Sequence, residues 1–339
     1  PSFYMETALK QRWLGIIFAV IIILTYAVGY NALASYNLQS AFSGFSYYDE
    51  KVTPVIIGLI LAVLFAACVL GSGKKLVKVA TVLVPAMGVI YISVAIIITL
   101  MHIGRLPAML SAMMADAFDF QAILGGFGGS CLAYGVKRGL YSNEAGMGSA
   151  PNAAAKADVS HPVKQGLVQV ISVFIDTVLI CSSTAFMLLL SGVEGKKDVL
   201  DGIPYVQKAI SANVGDWGIH FITFSIFAFA FTSLIGNYCY AESNILFIKN
   251  NKVLLNIFRV TCLVAVFLGA QADFSMVWNL ADVTMGLMAI VNIIAMFMLG
   301  KIVLKVLKHY EKQKKEGKKP VFYEDEVGLT GTIWTRERK

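Results

Sequence analysis

GGFGGSCLAYGVKRGLYSNEAGMGSAP, residues 125–151, is the stretch on which the fold turns. It follows three long apolar runs and precedes four more. Its own apolar part, 123–136, falls short of the roughly 20 residues that one membrane-crossing helix needs. Glycines at 125, 126, 128, 129, 135 and 139 loosen a helix and let backbone approach a ligand closely. Irregular backbone is tolerated at membrane depth only where protein covers it or where it lines a cavity. A short, glycine-interrupted apolar segment is also a pointer to a transporter's binding site. The competing reading is a glycine-rich helix that packs closely within a membrane bundle.

The surrounding composition supports a membrane setting. Of 339 residues 57% are hydrophobic and 14% charged, with a mean hydropathy of +0.70. A soluble domain would carry about 25% charge. The net charge of +7 is no nucleic-acid signal, because the basic residues sit in the loops between apolar runs and in the tail. Five cysteines, all in apolar runs and without metal-ligand or redox spacing, read as buried unpaired thiols. The four histidines are scattered, which argues against a metal site. An intramembrane enzyme is disfavoured: there is no His cluster, Ser/His/Asp arrangement or carboxylate pair that could divide acid and base roles.

Working outward, the apolar runs predict spans A (13–38), B (54–70), C (76–103), the broken D, E (167–190), F (219–248), G (253–270) and H (275–299). Pro85 should kink C. Residues 104–120 read as a loop, and 204–213 as a short surface helix. Residues 301–339 form a basic cytoplasmic tail with eight lysines up to Lys319; beyond it, 320–339 reads as disordered or loosely surface-bound. Lys and Arg concentrate in alternate loops (before A, and in B–C, D–E and F–G) and after H, which places those sides in the cytoplasm. The alternation works only if D crosses the bilayer. The fold class expected is therefore an all-α integral membrane bundle of about eight spans, one of them broken.

From Gly135 to Pro151 the sequence GVKRGLYSNEAGMGSAP resembles the signature of the alanine/glycine:cation symporter family. Gln165-Gly166-Leu167, Val173 to Thr177, Val277 to Asp282 and Gly286 to Ile290 agree with it, so the resemblance covers nearly the whole chain. It implies a leucine-transporter-like fold of two inverted five-helix repeats, with A to H as core helices three to ten and D as the broken sixth. Because Pro1 to Tyr4 resembles the end of a stretch preceding a middle helix, the chain is expected to be an N-terminally truncated member, lacking helices that supply about half of the ligands. The function implied is sodium-coupled uptake of a small neutral amino acid, alanine or glycine first and a larger polar one such as glutamine second. The alternative is an inactive fragment or a partner subunit. The partners implied are the amino acid, sodium as coupling ion, and the lipid bilayer, with no cofactor and no nucleic acid. Residence is a multi-pass one in a prokaryotic plasma membrane.

The same resemblance marks the site residues. Gly125, Gly126, Phe127 and Gly128 correspond to the unwound centre of core helix six, whose bare amides can meet a carboxylate. Thr232 and Ser233 align with paired hydroxyls of core helix eight, the first for sodium and the second for sodium or the substrate amine. Back-bonding to their own helix is the other reading. Asp176, a carboxylate at membrane depth, could bind sodium, pair with a cation or brace helices. Asp282 and Asn279 read as braces, and 142–144 as a structural loop lock. Asn237 stands where many members carry Trp, and Ala34 where many carry Gln in an Asn-x-x-Gln motif that begins here at Asn31. Both departures bear on substrate identity, with Asn237 expected to give a roomier, wetter pocket.

Overall fold

The computed structural model describes residues 1–71, 74–119, 131–193 and 201–336. Among the described residues every regular element is helical. Seven helices are long and apolar enough to cross a membrane, which makes this an integral membrane protein. A short α1 (Ser2–Thr7) precedes span A, a rod of α2 (Arg12–Ile23), a π-helical segment (Leu24–Tyr30) and α3 (Asn31–Ser40). Spans B and C are α4 (Thr53–Leu70) and α5 (Lys74–Met101), the latter carrying Pro85 within one helix. The expected loop after it contains a helix of its own, α6 (Leu106–Ala117), begun by Pro107 in its first turn.

Span D contributes α7 (Cys131–Asn143); its glycine-rich centre lies outside the described residues. A single turn, α8 (Ala150–Ala154), leads to span E, built from α9 (Pro162–Phe174), a second π-helical segment (Ile175–Cys181) and α10 (Ser182–Leu189). Helix α11 (Ile203–Val214) is not a loose surface helix. Ala209 and Ile210 are fully buried, and Gln207 donates to the Ala41 carbonyl (2.6 Å) and faces Thr223 Oγ1 (2.9 Å), tying α11 to spans A and F. Spans F and G are α12 (Trp217–Ile248) and α13 (Lys252–Gly269). Span H is α14, a continuous helix from Phe274 to Lys315 that runs well past the apolar run.

The core gathers around span A. Phe18, Ile22, Tyr26 and Leu33 are fully buried against side chains of spans F, G and H, such as Leu234, Cys262, Val266 and Met288. Outward faces of B, C, E and G remain apolar and exposed, as lipid-facing surfaces require. Cys68, Cys181, Cys239 and Cys262 are free thiols; only Cys262 is fully buried, the others being half-covered at helix edges.

The tail differs most from expectation. Phe322 and Val327 are buried, and Phe322 N–H donates to the Ser160 carbonyl (2.9 Å) while Ser160 Oγ donates to the Pro320 carbonyl (2.9 Å). Local polarity concealed two aromatic anchors, Phe322 and Trp334, which pack edge to face at 5.7 Å. At the junction, His161 caps α9, its Nδ1 accepting from Val163 N–H at 3.2 Å. Its proton therefore sits on Nε2, which points at His309 Nδ1 (3.3 Å), and His309 Nε2 faces Glu326 Oε2 (3.1 Å). Burial, then the neighbouring His309 and Lys164, push His161 down from 6.5 to about 4. Such a group favours the docked tail fully above its ordinary value, and that contribution is lost as pH falls from about 6.5 towards 4. Limited trypsin digestion of the tail at Lys318, taken relative to an unstructured peptide digested at the same pH, should accelerate between pH 7 and pH 5 in the wild type. His161→Phe should flatten that dependence; an unchanged pH response would remove His161 from the junction.

Candidate functional site

The loop that follows span D is held at almost every polar residue. Asn143 Oδ1 accepts from Ala145 N–H (2.9 Å), closing a turn. Gly146 (φ +83) and Gly148 (φ +91) then take left-handed backbone that L side chains rarely adopt. A Cβ at Gly148 would lie 2.7 Å from Phe18 Cζ and 2.9 Å from Asn292 Cγ, so this backbone is pressed between spans A and H. Asn292 Nδ2 donates to the Gly146 carbonyl (2.8 Å), and its Oδ1 accepts from the Tyr4 hydroxyl. Asn152 Nδ2 donates to the Gly148 carbonyl (3.2 Å), and Ser2 Oγ donates to Asn244 Oδ1 (2.6 Å) beside it. The Ser-Asn-Glu run is thus hydrogen-bonded in place at the end where the lysines predict cytoplasm.

Both π-helical segments address this loop, which accords with the way such bulges cluster at functional sites. The first sets Tyr26 and Tyr30 on one side of span A, and the Tyr26 hydroxyl donates to Glu144 Oε1 (3.0 Å). The second carries Asp176, whose Oδ2 accepts from Ser142 Oγ (2.6 Å), and Thr177, whose Oγ1 accepts from Asn143 Nδ2 (3.1 Å). Burial pushes the Glu144 carboxyl above its ordinary range, against the opposing pull of the Tyr26 hydroxyl. Glu144 itself sits in left-handed backbone (φ 54), an uncommon conformation for a residue with a side chain.

Sequence reading missed an aromatic chain crossing the bundle. Trp278 of span H packs on Tyr141 of span D (5.3 Å between centroids), Tyr141 on Tyr30 (5.1 Å), Tyr30 on Tyr26 (4.9 Å) and Tyr26 on Tyr240 of span F (5.3 Å). The four-residue spacing of Tyr26 and Tyr30 was the available signal. Arg138 lies 4.3 Å over the Trp278 ring and forms an ion pair with Asp282, which gives the expected brace its partner. Among the described residues, the Tyr30 hydroxyl and the Trp278 indole N–H are buried in this layer without a hydrogen-bond partner.

Of the residues singled out from sequence, Gly125, Gly126, Phe127 and Gly128 lie outside the described residues. Thr232 Oγ1 donates to the Ala228 and Phe229 carbonyls (3.0 and 2.9 Å), and Ser233 Oγ donates to Phe229 (2.9 Å). Both hydroxyls therefore turn onto their own helix and keep lone pairs available. Asn237 is buried, its Nδ2 donating to Asn31 Oδ1 (3.2 Å); the amide pair fills this contact between F and A, with Ala34 buried one turn away. Asp176 bonds Ser142, and no hydrogen bond joins it to Thr232 or Ser233 among the described residues. A cavity of about 470 Å³ opens at the opposite end, lined among others by Tyr36, Gln39, Tyr48, Glu50, Lys51 and Asp273. The lysine alternation places it on the outer side.

The model of the sodium:alanine symporter family matches residues 1–324. The chain is 44% identical over 325 residues to the probable sodium/glutamine symporter GlnT of Bacillus subtilis (strain 168), an alignment covering 96% of this chain and 67% of that protein. It is 42% identical over 322 residues to the amino-acid carrier protein AlsT of the same organism, covering 95% and 68%. The sodium/alanine symporter AgcS of Methanococcus maripaludis is 31% identical over 322 residues, covering 93% of this chain and 70% of AgcS.

Proposed function

The chain belongs to the sodium:alanine symporter family, and from that premise we propose that it takes part in sodium-driven uptake of a small neutral amino acid across the plasma membrane. The observation that carries this is the family match along residues 1–324, with the hydrogen-bonded Ser-Asn-Glu loop at its centre. The substrate proposed is alanine or glutamine. The names of its relatives span both, and Asn237 supplies a polar side chain between spans A and F.

In this reading Gly125, Gly126, Phe127 and Gly128 take the substrate carboxylate. Thr232 supplies an oxygen to sodium, with Ser233 beside it facing sodium or the amine, since each hydroxyl retains a lone pair while donating to its helix. Asp176 acts through the loop it braces. The outer cavity is the approach route, and the aromatic layer with Arg138–Asp282 closes the inner side.

The test uses the full-length protein in proteoliposomes. Thr232→Val keeps shape and removes the oxygen. It should raise the sodium concentration for half-maximal alanine or glutamine uptake and, by linkage, weaken substrate affinity at fixed sodium. An unaltered sodium dependence would leave Thr232 a helix-bonding residue.

A further inference from the structure

Helix α14 carries a single unbroken stripe from the lipid into the cytoplasm. Ile290, Ile294 and Phe297 are 60%, 53% and 83% exposed, as side chains facing lipid would be. The steps of four and three continue through Lys301, Lys305, Lys308, Lys312 and Lys315, all exposed and all on the same helix. At 3.6 residues per turn these eight positions fall within an arc of about 80°. The other side of the extension is occupied: His309 and Gln313 hold the tail, through Glu326 and the backbone of Val321. Glu326 and Asp325 are engaged by His309 and Arg336, Glu324 accepts from Thr332 N–H, Glu316 pairs with Lys318, and among the described residues no carboxylate forms an ion pair with the five lysines.

The level of the membrane boundary can be read from the same helix. Val303 and Leu304 remain 59% and 58% exposed, one turn beyond Lys301. Lys301 therefore sits at the height of exposed apolar side chains, where a lysine extends its ammonium towards the interface. Lys308 stands one turn beyond Leu304, past the last exposed large apolar side chain of the helix. We propose that this lysine stripe is a binding surface for anionic phospholipid headgroups of the cytoplasmic leaflet, fixing the depth of span H.

The stripe is graded. Lys312 and Lys315 lie about 6 and 10 Å further along the axis than Lys308, and attraction to a charged surface falls off within about 8 Å at physiological salt. Lys301 and Lys308 should dominate. Lys305, whose Nζ lies beside Gly328 of the tail, is best left intact in a test.

The thermal unfolding midpoint of the purified chain is measured in nanodiscs of phosphatidylcholine alone and with phosphatidylglycerol added. Phosphatidylglycerol should raise the wild-type midpoint. K301Q/K308Q should lose most of that rise while matching the wild type in phosphatidylcholine, and K312Q/K315Q should keep most of it. Inorganic phosphate, added instead, should do nothing. A rise that survives in K301Q/K308Q, or that both pairs reduce equally, or that free phosphate reproduces, would overturn the proposal, as would a wild type indifferent to phosphatidylglycerol.

Discussion

Gly148→Ala is expected to abolish uptake and to unfold the protein at markedly lower temperature, whereas Gly146→Ala is expected to be mild. Both glycines hold left-handed backbone, with φ +91 and +83. Placing an alanine there costs about 1–2 kcal/mol. Their surroundings separate them. A Cβ at position 146 would find only Ile293, at 3.8 Å, an ordinary contact. At position 148 it would overlap Phe18 and the amide of Asn292, both buried, and Asn292 cannot yield without giving up its bond to the Gly146 carbonyl. Overpacking adds about 1–3 kcal/mol. The sum is large for the junction on which spans A, D and H converge. Thermal unfolding of the two variants in detergent, beside uptake, measures the difference. Equal losses at 146 and 148 would show that backbone conformation alone governs the loop.

The second large effect is expected at Asp282. Its carboxylate neutralises Arg138, which among the described residues is otherwise held by the face of Trp278. Breaking a buried ion pair costs about 3–5 kcal/mol. With side chains 36% and 19% exposed for Arg138 and Asp282, solvent reduces that to about 1–3 kcal/mol. Asp282→Asn should therefore lower the thermal unfolding midpoint by about 2–6 °C, each kcal/mol shifting the midpoint of a chain of this length by about 2 °C. Arg138→Gln should do the same, and the double variant should recover part of the loss, because no unpaired charge remains. A double-mutant cycle reads the coupling directly. Losses that simply add would mean that the two residues act independently.

Some of the site was legible without coordinates. The Ser-Asn-Glu loop was marked by its resemblance to the family signature, and its bonds to Asp176, Thr177 and Tyr26 agree with the lock expected there. Asp282 was read as a brace, although Arg138 could not be named as what it braces. Back-bonding of Thr232 and Ser233 was the open alternative to cation binding, and the geometry satisfies it while leaving their lone pairs available. The tail was misread because its sequence is polar on average; what holds it is a few aromatic side chains and the backbone of Ser160 and Gln313's amide.

By itself the sequence determined that the chain crosses a membrane, where spans A, B, C, E, F and G lie to within about five residues, which loops carry the positive charge, and which family it belongs to. Bilayer thickness fixes how long an apolar run must be, and an apolar run is visible one residue at a time. Tertiary structure alone decided how each helix is rotated and what each polar group meets. Tyr26 finds Glu144, Arg138 finds Asp282 and Ser2 finds Asn244 across more than a hundred residues of chain. Helices that are apolar on nearly every side carry little pattern to say which face turns inward. Their orientation is set by close packing and by the need to satisfy every buried polar group, and both exist only once the spans are assembled.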